Sequence, residues 1–249
     1  DSYDDINIQT YTLRADPVTT NTLRKSDNSR QFNNLGGQLL FKHLFPKEGK
    51  EWTADMNYSL ARFDNAGVFN TNYIGRAFET RQKQTGDGSN QFITFQTDYV
   101  SPLKKAGSKL EAGARVALRD YDANNGSFEY NFGDAEFVRV PNFADRYSFA
   151  DRLYAAYSTF TKSYAKFGYQ VGLRAERWQY EGRLPDQNVT FKNQSGSLME
   201  HLFPSAFLNY QLNESDNVQL NFSRRVQRPS FFQLIPFPDF SDSLLLSRG

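Results

Sequence analysis

The chain contains no cysteine, so neither a disulfide framework nor a thiolate metal site can be built from it. Its two histidines, His43 and His201, leave little for a histidine-rich metal centre. No apolar run approaches the roughly 20 residues that a membrane helix needs. Charge of one sign is not in excess: 29 Lys+Arg oppose 28 Asp+Glu. A nucleic-acid footprint would need a clustered basic surplus, so nucleic acid is not an expected partner. Nothing in the composition points to a cofactor.

What is abundant is aromatic: 23 Phe and 14 Tyr in 249 residues. Strands favour these residues, and membrane–water interfaces favour Tyr and Trp. Mean hydropathy is low at −0.68. That bars helical spans only, because a membrane β-barrel carries its apolar groups at every second residue and averages out as polar.

Alternation of that kind runs through the chain. Trp52, Ala54, Met56, Tyr58 and Leu60 share one phase, and Thr53, Asp55, Asn57 and Ser59 the other. This is the period-2 pattern of a strand with one apolar and one polar surface. Similar segments surround Gly37–Phe45, Ile93–Tyr99, Leu110–Leu118, Leu153–Thr159, Phe167–Ala175, Ala206–Leu212 and Val218–Phe222, with a weaker one over Ile6–Leu13. Short turns are expected at 46–49, 102–107, 161–164 and 213–216. Polar stretches at 15–34, within 64–90, and at 122–127, 133–146 and 181–200 read as loops. Some ten or eleven strands result, forming one all-β antiparallel segment over residues 1–249. Strands of about ten residues suit a tilted bilayer crossing, and short turns alternating with long loops suit an outer-membrane barrel. A soluble antiparallel sandwich acting as a binding module would also alternate. Strand length and loop asymmetry favour the membrane barrel.

Residues 202–249 are the most specific part. Leu202-Phe203-Pro204-Ser205 opens a strand, and Ser223-Arg224-Arg225-Val226-Gln227-Arg228-Pro229-Ser230 follows the last one. Together with Gly172-Leu173-Arg174-Ala175-Glu176, Ala155-Ala156-Tyr157 and Lys42-His43, these residues resemble the outer-membrane β-barrel family of TonB-dependent receptors from Bacteroidota. The likeness covers about residues 35–249 and is poor over 1–34. The resemblance implies a 22-stranded barrel with an N-terminal plug, driven by the TonB system of the inner membrane. Outer-membrane lipid, and surface lipoproteins or other outer-membrane subunits, would then be its partners. No plug is present in these residues. The chain starts Asp1-Ser2-Tyr3 with no initiator Met and reads as an interior piece of a longer polypeptide. An open half-barrel would leave unpaired edges in lipid, so further strands or a partner chain must close the sheet.

Asp55, Glu111, Arg115, Arg119, Arg174 and Glu176 fall in the polar phase, which makes them lumen-lining candidates. Arg224, Arg225, Arg228 and Pro229 carry the family motif. The arginines there could bind an anion or hold a plug, or pair with acids on neighbouring strands, and pairing is the commoner fate. His201 and Ser205 share a strand face but stand about 13 Å apart, too far for a Ser–His couple, so no enzyme is expected. Three functional readings follow. The chain is a wall section of a TonB-dependent transporter, a plugless barrel subunit with a structural or assembly role, or a soluble sandwich module.

Overall fold

The computed structural model describes residues 2–13, 16–75, 77–105, 107–140, 146–193 and 198–228. They form a single antiparallel sheet. Its strands are β1 (Ser2–Leu13), β2 (Asp16–Leu44), β3 (Glu51–Tyr73), β4 (Glu79–Pro102), β5 (Ser108–Asn131), β6 (Glu136–Val140), β7 (Arg146–Ser163), β8 (Phe167–Leu184), β9 (Val189–Lys192), β10 (Leu202–Gln211) and β11 (Asn217–Ser223). The path runs β1-β2-β3-β4-β5-β7-β8-β10-β11, with β6 paired to β5 and β9 to β8. Every neighbour pair is antiparallel, as expected where hairpins join consecutive strands.

Register fixes which side chains share a face. One row of ladder partners reads Leu39, Met56, Phe95, Val116, Tyr154, and another Phe41, Ala54, Thr97, Ala114, Ala156, Ala175. This is the apolar face. Contacts between elements run along the ladder and to two short 3-10 turns, so among the described residues no second layer covers that face. Leu39 is accordingly 70% exposed and Leu220 66% exposed. A sandwich would have buried them.

The apolar band slants across the strands. On β2 and β3 its last apolar members are Leu35 and Leu60, which are ladder partners. On β8 its last member is Ala175, whose row meets β2 at Phe41, six residues lower and five strand steps away. At about 3.3 Å per residue and about 4.8 Å per strand, the strands tilt by about 40° against the band. Strands in membrane barrels tilt by this much.

Several polar stretches expected to be loops are strand instead. Residues 16–34 belong to β2, residues 64–73 to β3, 79–90 to β4, and 122–127 lie within an unbroken β5 that runs on through Phe128 and Tyr130. β8 likewise extends to Leu184, and β9 lies inside the stretch 181–200. β6 occupies part of 133–146. The physical reason is common to all: these segments lie past the apolar band, where both faces are wet. No apolar period marks them, yet the backbone ladder continues. The turns at 45–50, 103–107 and 212–216 fall where expected, and the one expected at 161–164 lies at 164–166, because β7 stays paired to Ser163.

Apart from Ala155, which is buried at the level of the band, the buried apolar side chains among the described residues lie beyond it, on the opposite face. Tyr147, Phe149 and Leu184 pack with Tyr121, Tyr180 and Phe191. Gly182 makes room for this group: a Cβ there would stand 2.1 Å from the Phe191 ring.

Candidate functional site

The face opposite the apolar band is polar and ordered by register. Asp55, Gln96, Arg115, Ala155 and Glu176 form one ladder row. The next row, toward the short turns, holds Thr53, Asp98, Gly113, Tyr157, Arg174 and Phe203. Glu111 and Arg119 have the same parity. All six lumen candidates therefore share one face.

Three of them join a continuous network. Arg115 donates to Gln96 Oε1 at 3.2 Å. Gln96 Nε2 donates to Asp98 at 2.9 Å and to the Tyr157 hydroxyl at 3.4 Å. Tyr157 in turn donates to Asp98. The Arg174 guanidinium lies 5.3 Å from the Tyr157 ring centre and donates to Glu176. Glu176 also accepts from Arg228, whose guanidinium stands 5.5 Å from the Trp178 ring centre. Trp178 Nε1 then donates to Asp151 at 2.6 Å. Three arginines thus meet three carboxylates, and the Glu176 side chain is only 9% exposed. Partial burial is tolerable because each ionised group keeps charge-assisted partners. The result is a polar wall of zero net charge, not an open anion trap.

The close fit depends on Gly113. A Cβ at that position would lie 2.6 Å from the Tyr157 ring and 2.7 Å from Asp98 Oδ1. A cavity of about 620 Å³ shares Arg115, Glu176 and Trp178 with the network and is completed by residues that include Asn193 and His201.

The remaining candidates stand apart. Asp55 accepts from Asn57 at 3.0 Å. Glu111 pairs with Lys109 at 3.0 Å. Arg119 lies 4.9 Å from the Phe92 ring centre. Arg224 donates to the carbonyls of Met199 and Leu202 and sits over Phe203. Arg225 is exposed, and Pro229 lies outside the described residues. The sequence pattern did not single out Gln96, Asp98, Tyr157 or Asp151 as site residues. Gln96 and Asp98 were accessible to it, since they alternate in phase with each other along β4. Tyr157 was less so, because Leu153-Tyr154-Ala155-Ala156-Tyr157 is apolar in both phases. Register puts Tyr154 and Ala156 on the apolar face, and Leu153, Ala155 and Tyr157 on the polar one.

Beyond the band, the aromatic group on the same face is tightly desolvated. Burial pushes the Tyr121 hydroxyl up to about 12 and raises Tyr147 further. In the connection after β8, the Arg146 guanidinium holds the Asp186 carboxyl below the usual carboxylate range through hydrogen bonds at 2.6 and 2.9 Å.

Residues 43–249 match the outer membrane protein beta-barrel family. The chain belongs to that family. An outer-membrane location follows, with bilayer lipid against the uncovered apolar face. No curated protein matches the chain. Among solved structures it is similar to the ferric citrate transporter FecA in its unliganded form, at 10% identity and a TM-score of 0.42, over 82% of this chain and 35% of that one. It is also similar to the copper transporter OprC, at 11% identity and a TM-score of 0.30, over 94% of this chain and 45% of that one. The chain spans less than half the length of either.

Proposed function

We propose that this outer-membrane β-barrel chain is a wall section of a TonB-dependent transporter of the Bacteroidota type, taking up a ligand through a polar lumen. The observation that carries the reading is the contrast between its two faces. One is bare, apolar and slanted like a bilayer crossing. The other holds a charge-balanced network in which Arg115, Arg174 and Arg228 meet Asp98, Glu176 and Asp151. A wall of zero net charge lets a hydrated solute pass without trapping it. The Arg-Arg-Val-Gln-Arg-Pro-Ser run at 224–230 supports the assignment to this receptor type.

Two sheet edges lie at bilayer depth. Among the described residues, β2 from Asn28 to Leu44 pairs only with β3, and β11 only with β10. Hydrocarbon does not tolerate open edges, so further strands complete a larger barrel, of 22 strands in the transporter reading. The plug and the TonB contact lie in the same larger protein.

Topology and energisation test the proposal together. Tags placed at 186–193 are expected to be reachable on intact cells, and tags at 46–49 only after the outer membrane is opened. Uptake by cells that depend on the protein is expected to stop when the inner-membrane TonB machinery is removed. Labelling of both sites alike would refute the transmembrane wall. Correct topology with uptake indifferent to TonB would instead identify a barrel subunit with an assembly role.

A further inference from the structure

Lysine and arginine are segregated in this chain. Eight of the eleven lysines fall within positions 42–50, 104–109 or 162–166, at the short-turn end of the sheet, and none of the eighteen arginines does. Lys42 pairs with Glu51 at 2.8 Å and Lys109 with Glu111 at 3.0 Å. Lys47, Lys50, Lys104, Lys105 and Lys166 stand on three adjacent turns, with Lys162 at the end of its strand beside them. The one acid on those turns is Glu48, and the fourth turn carries Glu214 and Asp216.

These turns form a connected rim. Lys47 donates to the Pro102 carbonyl. The Ser163 amide donates to Gly107 O at 2.7 Å, and the Gln211 amide to Lys166 O at 2.8 Å. The lysines also lie against rings. Lys50 Nζ is 4.4 Å from the Phe45 ring centre and 5.7 Å from that of Tyr99, and Lys162 Nζ is 5.1 Å from that of Tyr164. Tyr99 pairs in register with Trp52 on the lipid face, immediately beside the charges.

We infer that this rim is a collar that gathers anionic phospholipid headgroups in the leaflet it borders. The argument is charge complementarity joined to continuity with the lipid-facing band. A lysine ammonium on a flexible stem can cross from apolar surface to headgroup level. Each such charge near an anionic surface adds attraction that salt screens. Aromatic rings at the same level anchor the boundary. An acidic protein partner would need the charge displayed away from the bilayer, whereas here it is interleaved with rings on the membrane side. The inference rests on the lipid-facing assignment of the apolar band.

The test uses the full-length protein from outer membranes, reconstituted in phosphatidylcholine vesicles. Minor fractions of brominated phosphatidylglycerol or brominated phosphatidylcholine are added. The part of the tryptophan quenching that disappears in Trp52→Phe reports on the collar. Quenching by the anionic lipid is expected to exceed that by the neutral one at least about twofold at low salt, and to approach parity at about 0.5 M salt. The excess should vanish when Lys47, Lys50, Lys104, Lys105 and Lys166 are changed together to Gln, and persist when they are changed to Arg. Equal quenching by the two lipids in the unaltered protein overturns the collar, as would be seen if the lysines served an acidic protein instead. A preference that survives the Gln changes overturns it too. No quenching by either lipid overturns both the collar and the lipid-facing assignment beneath it.

Discussion

Arg228 reaches back past β10 to Glu176 on β8, joining residues fifty-two positions apart in the chain. Glu176 is held from the other side by Arg174, two residues before it on the same strand. The family motif after β11 therefore acts first as a clasp on the polar face. It ties the segment 224–228 to a strand two places away.

Removal of one partner shows the clasp's weight. Arg228→Ala leaves Glu176 with Arg174 alone and is expected to cost about 1–3 kcal/mol, the range for a hydrogen bond to a charged group. Glu176→Gln should cost a similar amount, and the double variant less than the sum of the two. Urea titration of the reconstituted protein measures all three. Strict additivity would show that the contact contributes nothing.

The two faces should respond oppositely to charge. Ala114 lies at the middle of the apolar band on β5, and Ala117 on the polar face three residues on. Ala114→Arg is expected to destabilise the membrane-inserted protein by about 2–4 kcal/mol. Ala117→Ser should change stability by less than about 1 kcal/mol. Folding yield into vesicles against urea compares them. Equal penalties would deny that lipid covers the first site.

Alkaline pH tests the aromatic group beyond the band. Tyr121 has its hydroxyl pushed up to about 12 by burial, and Tyr147 is raised as well. An acid whose folded value lies above its unfolded value of about 10 stabilises the fold fully below that pH. The contribution is lost as pH rises through the folded value. Tyrosinate absorbance should therefore lag for these two residues between about pH 10 and 12, and thermal stability should fall over the same interval. Tyr147→Phe should remove part of that alkaline loss while keeping the ring stacked near Phe149 and Phe191.

Alternation along each segment determined much of this molecule before any fold was known. A strand's period of two is a local property, so Trp52 to Leu60 and Leu110 to Leu118 declare their apolar face unaided. The common face of Asp55, Glu111, Arg115, Arg119, Arg174 and Glu176 follows from the same local rule, and the short turns near 46–49, 102–107 and 213–216 are marked by their own Pro, Gly and Asn residues. Only the tertiary structure decided the rest. β7 is apolar in both phases, so its facing was set by pairing with β5 and β8, which turned Tyr157 toward Asp98. The strands run on past the band because their backbones are paired, a long-range fact that polar residues such as Asn124 and Asn125 cannot advertise. The slant of the band and the grip of Arg228 on Glu176 depend on register between distant segments, and no spacing within one segment encodes it.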